Sequence, residues 1–162
     1  APVAQFLRAG RALEGAEKTA RIVDVEYHTL LEGRMAHEPD NHQWMAVLKS
    51  VAAYEVYRRE FHSSIDPKKV AELLVLHPRH PRSIRFNIGE LQASLQAISR
   101  ATPGTSATPA ERLARQVHET LLYDRMEDIF DRGLHDSLRN LQRTCRAIGE
   151  HIARKYFYYA LA

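Results

Sequence analysis

The chain has very little cysteine: Cys145 is the only one in 162 residues. A single thiol cannot form a disulfide within the chain, which excludes the disulfide-stapled folds typical of small secreted domains. The sequence also has no apolar run near the roughly 20 residues that cross a bilayer, and its first residues have no signal-peptide core. We therefore expect a soluble cytoplasmic protein with no membrane partner.

A strong excess of one charge is also missing. The 23 Lys and Arg residues nearly balance the 20 Asp and Glu residues, giving a net charge of +3. So mild a charge does not indicate nucleic acid as a partner. The nine histidines form no H-E-x-x-H motif, no glutamate is followed by histidine three residues later, and no glycine-rich phosphate loop is present. We therefore expect no metal ion and no other cofactor.

Glycine and proline are scarce, with seven of each, and no useful stretch alternates as a strand would. Apolar residues instead recur at steps of three and four, which indicates helices. The first helix is predicted over about residues 3–33 and the second over about 42–61. Asp66 followed by Pro67 is an N-cap signature for a short helix, and the spacing near Asp124 predicts a break. We predict one all-α domain over residues 1–162, a bundle of five to seven helices with a long first helix.

The first helix has a charged stripe beside its apolar face. At about 100° per residue, its members fall in one narrow sector: Glu14, Glu17, Arg21, Asp24 and His28. Such a stripe can be an internal network of ion pairs, with Arg21 as a buried hub for Glu17 or Asp24. It can also be a site for a polar ligand, because a guanidinium suits a carboxylate or a phosphate. The sequence favours the structural interpretation and leaves both open.

Four further positions are candidate ligand-binding residues. Glu55 follows an apolar face and is either a solvated partner of a nearby arginine or a partner of the stripe. Arg82 and Ser83 precede a helix whose N-terminus attracts anions, although Ser83 can simply cap it. His135 also lies near a helix start, where a neutral, hydrogen-bonded histidine is the plainer interpretation.

The first helix carries the pattern F-x-x-x-G-x-x-x-E, followed by A-x-x-T-x-R-x-x-D. In this form it resembles the signature helix of the bacterial alpha-E family, long labelled a domain of unknown function. One residue departs from that pattern: Gly15 stands where the family usually has arginine. Other segments resemble the family in order, namely W-x-x-x-L-K-S-V-A-A-Y-E-V-Y, V-A-E-L-L-V-L, P-R-S and G-L-H.

The resemblance implies a context more than a reaction. Family members are usually longer and contain two related halves, and this chain resembles the second half, which fits its abrupt start. Their genes commonly lie beside a circularly permuted ATP-grasp ligase and a transglutaminase-like protease. The implied partners are therefore these two proteins, in peptide or amide-bond synthesis or modification.

We predict a non-catalytic accessory or scaffold module, with no residue assigned as catalytic. The alternative is an enzyme or ligand-binding domain, in which a polar pocket of Glu14, Arg21, Asp24, Glu55 and Arg82 binds an amino acid or a peptide. A homo-oligomer is also expected, with the long first helix and the aromatic residues 156–159 as contacts.

Overall fold

The computed structural model describes residues 2–33, 41–62, 64–101, 104 and 106–157, with the side chains of residues 29–33 and 41 outside the description. Within these ranges the chain is all-α and contains no strand. A five-residue π-helical segment, Ala153–Phe157, continues from the last α-helix. The α-helices are α1 (Pro2–Gly33), α2 (Asn41–Ser50), α3 (Tyr54–Phe61), α4 (Pro67–Leu76), α5 (Ile84–Arg100), α6 (Pro109–Tyr123), α7 (Met126–Arg132) and α8 (Leu134–Ile152).

The long helix α1 is the centre of the bundle and packs mainly against α5 and α8. The first part of its buried face is built from small residues, namely Ala9, Ala12, Ala16 and Ala20, and the face continues with Val23 and Tyr27. Small side chains let neighbouring helices approach closely, so α1 can be flanked on both sides. The core also holds large side chains from other helices, including Trp44, Tyr57, Leu74 and Ile88.

The helix predicted over residues 42–61 is two helices, and this separation brings the described α-helices to eight. Ala52 has a positive φ of 55°, and the backbone N–H of Ala53 donates to the carbonyl of Leu48 at 2.7 Å. The turn buries Val51 and Ala53 while Ala52 faces solvent. Alanine is the best helix former, so nothing local signals this break.

Other predicted boundaries are confirmed. The carboxylate of Asp66 accepts the N–H of Lys68 at 3.0 Å at the start of α4, and α6 ends at Tyr123, directly before Asp124. Thr108 caps α6 by accepting the N–H of Glu111 at 3.2 Å. The carboxylate of Glu111 accepts a hydrogen bond from Ser99 on α5 at 2.6 Å, a contact between two helices.

Two of the aromatic residues expected at an oligomer contact lie against α1 of the same chain. Tyr156 and Phe157 pack edge-on against Phe6 of α1, with ring centroids 4.9 and 5.7 Å away. Tyr158 and Tyr159 lie outside the described residues. None of the described helices is both long and apolar enough to span a bilayer.

Candidate functional site

The charged stripe of α1 contacts α8 through Glu17. Its Oε1 lies 3.6 Å from a guanidinium nitrogen of Arg21 and 3.7 Å from one of Arg146 on α8. Arg21 is 61% exposed in its side chain, so the expectation of a buried arginine hub is wrong. The hub is Glu17, and it links two helices at the surface of the bundle.

Asp24 forms a second link between α1 and α8. Its Oδ1 lies 2.6 Å from Nδ1 of His135, and the ring of His28 stacks on that of His135 at 5.6 Å between centroids. Because a carboxylate accepts, Nδ1 of His135 carries the proton in this contact. The structure thus joins the aspartate of the first helix to the histidine of G-L-H, which the sequence presented as separate candidates.

Ser83 is the N-cap of α5. Its hydroxyl donates to the carbonyl of His77 at 2.6 Å and accepts the N–H of Phe86 at 3.1 Å. The side chain is fully buried and both its hydrogen-bonding capacities are used. Ser83 is therefore committed to the fold, as the plainer sequence interpretation proposed.

Two buried histidines shape the segment before Ser83, and sequence reasoning missed their role. Nδ1 of His77 accepts the N–H groups of Arg79 and His80 at 3.0 and 2.9 Å. Nδ1 of His80 accepts the N–H of Arg82 at 3.1 Å. Each ring thus substitutes for a backbone acceptor in a turn that cannot be helical. The signal was present as a repeated tripeptide, His-Pro-Arg at 77–79 and again at 80–82.

Thr19 holds this turn against α1. Its hydroxyl donates to the carbonyl of Arg82 at 2.7 Å. From α5, the amide nitrogen of Asn87 donates to the carbonyls of Pro81 and Ser83 at 2.9 and 2.8 Å. The P-R-S segment is therefore fixed from both sides, and the side chain of Arg82 is left exposed.

A surface groove of about 660 Å³ lies between α1 and the start of α5. It brings together Glu14 and Arg82, two of the predicted site residues. Arg8 and Glu90 form an ion pair across it. Asn87 and Gly15 meet in the groove, and a Cβ added to Gly15 would lie 2.7 Å from Oδ1 of Asn87. Two cations from α1 also line it, Arg11 and Lys18.

The predicted five-residue pocket does not assemble as a unit. Asp24 contacts α8, Arg21 pairs with Glu17 on α1, and neither lines the groove. Glu55 is exposed in the first turn of α3, and within the described part of the chain it forms no ion pair with the stripe. The reason is that the two edges of a stripe on one helix point in different directions and so face different helices. Of the five residues, only Glu14 and Arg82 line the groove.

Burial shifts the pKa of a few titratable groups that lie outside the groove. It raises the pKa of the Cys145 thiol to about 12, with a smaller effect from Glu17. Partial burial, and then Arg85, lowers the pKa of His118. Partial burial and the neighbouring Glu127 raise the pKa of Glu72. Across the residues described, no three His, Cys, Asp or Glu side chains converge in a way that could hold a metal ion.

Comparison with protein-family models decides the relationship. The model described as a predicted alpha-helical domain with a conserved ER motif, Alpha-E, matches residues 2–157. The chain belongs to the alpha-E family. No curated protein and no solved structure is significantly similar to it.

Gly15 directly follows Glu14, the glutamate of the first-helix pattern. The groove gives a physical reason for a glycine at this position. A larger residue at Gly15 would displace Asn87, whose amide nitrogen is held by two carbonyls. This alpha-E chain therefore combines a glycine on α1 with an asparagine on α5.

Proposed function

We propose that this chain is a non-catalytic helical accessory module. In this proposal it acts with an ATP-grasp-type ligase in peptide or amide-bond synthesis or modification. The structural part of this proposal rests on three residues of α1. Each of them joins α1 to another part of the bundle. Thr19 binds the turn before α5, while Glu17 and Asp24 bind α8.

The most nucleophilic residue type in the chain also supports a structural role. The Cys145 thiol is buried on the seam of α8 and its pKa is raised to about 12. The thiolate is the reactive form of cysteine, so this side chain is inert near neutral pH and packs as a small apolar group.

The partnership itself is inferred from the family resemblance. The resemblance implies that alpha-E proteins work beside a circularly permuted ATP-grasp protein and a transglutaminase-like protein. A rigid module that carries no reaction of its own suits such an association, because it can present a fixed surface to a ligase or to its substrate. Cytoplasmic location is part of the same proposal, since ATP-dependent ligases work where ATP is available.

The test combines the purified chain with the purified ATP-grasp-type ligase of the same organism. Phosphate release from ATP and amide-bond formation are measured for each protein alone and for the mixture. We expect no turnover by the chain alone and a changed rate, or a complex in size-exclusion chromatography, for the mixture. Amide-bond formation or hydrolysis by the chain alone would overturn the proposal, and so would a mixture that neither associates nor changes rate.

One observation favours the alternative of a ligand-binding domain. The groove between α1 and α5 brings Glu14 and Arg82 together, although it leaves Arg21, Asp24 and Glu55 elsewhere. Its volume is within the range of small-molecule sites. An accessory module and a ligand-binding domain are compatible, since a scaffold can hold the substrate that its partner modifies.

A further inference from the structure

We infer that the groove between α1 and α5 binds an acidic peptide. The peptide's carboxylates would meet the cations of the groove, and one of its N–H groups would donate to Oδ1 of Asn87. The inference rests on the groove itself and does not depend on the partnership with a ligase.

The first argument is the charge of the groove. Four cationic and two acidic side chains line it, and one cation and one carboxylate are consumed by the ion pair of Arg8 with Glu90. Within the residues that the structure describes, Arg11, Lys18 and Arg82 have no ion-pair partner. The first turn of α5 also faces the groove, where the helix dipole adds positive potential. The surplus favours a ligand with more carboxylates than amines.

The second argument is a fixed acceptor to which no described residue donates. Asn87 is only 7% exposed. Its two N–H groups are directed at the carbonyls of Pro81 and Ser83, which fixes the orientation of the amide because a flipped amide would set oxygen against oxygen. Oδ1 then lines the groove beside Gly15, and it accepts no hydrogen bond from any residue in the described ranges. Because Oδ1 is open to the groove, a ligand N–H can reach it and form a hydrogen bond.

The third argument is the glycine on the opposite wall. With any Cβ at position 15, an atom would sit 2.7 Å from Oδ1 of Asn87. Gly15 therefore keeps the acceptor in place and open to the groove.

These features together favour a peptide over other anions as the ligand of the groove. A lone phosphate has a single centre of charge, so it cannot reach several separated cations at once, and it is far smaller than a groove of about 660 Å³. A nucleic acid would use a longer basic surface and stacking aromatics, whereas this groove offers one aromatic ring, that of the half-buried Phe86. A short peptide with acidic side chains supplies both carboxylates and backbone donors.

The experiment measures binding of a fluorescently labelled tri-glutamate peptide by anisotropy. Tri-glutamine, glutarate, inorganic phosphate and a decathymidine oligonucleotide serve as competitors. We expect tri-glutamate to bind and unlabelled tri-glutamate to compete, with weakening as salt screens the charges. Tri-glutamine and phosphate should compete poorly. Glutarate, which has carboxylates but no N–H donor, should compete less well than tri-glutamate.

Variants locate the site. Lys18→Gln with Arg82→Gln should weaken binding about tenfold or more, the loss expected for charge-assisted hydrogen bonds. The matched control, Arg139→Gln with Arg143→Gln on exposed positions of α8, removes the same charge elsewhere and should leave affinity unchanged. Gly15→Ala should weaken tri-glutamate more than glutarate, because it displaces Oδ1 of Asn87.

Several outcomes would overturn the inference. One is no measurable binding of tri-glutamate, and another is equal competition by phosphate or by the oligonucleotide. Equal losses in the groove variant and in the α8 control would show general charge attraction. If Gly15→Ala fails to fold, the comparison of tri-glutamate with glutarate on the unaltered chain decides the role of Asn87.

Discussion

Oδ1 of Asp24 lies 2.6 Å from Nδ1 of His135, a contact between residues 111 positions apart. It connects the middle of α1 to the first turn of α8. Glu17, two turns earlier on α1, approaches Arg146 of the same helix. The charged edge of α1 is thus used twice along one helix–helix seam, and this seam is the part of the molecule where the stability predictions are sharpest.

The contact between Asp24 and His135 should show a measurable coupling energy. A double-mutant cycle of Asp24→Ala and His135→Ala, followed by urea unfolding, is expected to give about 0.5–1 kcal/mol, because the histidine side chain is 52% exposed. The control cycle combines His135→Ala with Glu119→Ala, a substitution at an exposed glutamate of α6. It should give a coupling near zero, and an equal value in both cycles would contradict the assignment.

Arg21→Met should leave the fold nearly intact. The guanidinium is mostly exposed, and Glu17 keeps Arg146 as a partner, so the expected loss is about 1 kcal/mol or less. The midpoint of denaturant unfolding measures it, with Arg139→Met on α8 as the control for removing an exposed arginine. A loss of about 3–5 kcal/mol is the signature of a broken buried pair and would show that Arg21 is a hub after all.

Replacing each of two glycines with alanine should change the stability of the fold in opposite directions. Gly133 joins α7 to α8 at a φ of +99°, a conformation strained for residues with a Cβ, so Gly133→Ala should destabilise by about 1–2 kcal/mol. Gly10 lies within α1 and an added Cβ meets nothing within 4 Å. Gly10→Ala should therefore stabilise by about 0.5–1 kcal/mol. Thermal melts of the two variants check this, and a shared sign would count against the description.

The Cys145 thiol should be protected in the folded chain. Its pKa is raised from an ordinary value near 9 to about 12, so an aromatic disulfide reagent at pH 8 should react slowly with the native protein and rapidly in guanidinium chloride. Because the folded pKa lies above the unfolded one, the associated stability is full below about pH 9 and declines as pH rises toward 12. Fast native labelling at pH 8 would show that the thiol is accessible.

Self-association is expected at the start of α1. Val3 and Leu7 are exposed there, and Phe157 packs beside them on Phe6 while remaining half exposed. Light scattering over a range of concentrations should detect a dimer. Leu7→Gln should shift it toward monomer, and Val25→Gln, at an equally exposed position farther along α1, should not. A strict monomer at high concentration would be evidence against the expected homo-oligomer.

The helices could be predicted where local physics decides them. Asp66 with Pro67, and Thr108 with Pro109, begin α4 and α6 as their capping chemistry requires. The apolar period of α1 identifies its buried face correctly. The break at Ala52 could not be predicted, because alanine favours a helix and the turn depends on burying Val51 and Ala53 among distant residues.

The same division applies to the candidate site. The motif residues were visible as a set, yet a linear pattern does not say which neighbour each edge of a helix faces. Glu17 and Asp24 face α8, whereas Glu14 and Gly15 line the groove with α5. Asn87 was missed altogether, since a single asparagine carries no motif and its role depends on Pro81, Ser83 and Gly15 being close in space.

The sequence by itself determined the all-α class, the family and most helix ends, because spacing, capping and motif order act over a few residues. Tertiary structure alone decided which charges pair and where a groove opens. Those pairings join residues up to 129 positions apart in sequence (146 − 17), and they exist only once packing of the apolar faces has set the rotation of each helix about its axis.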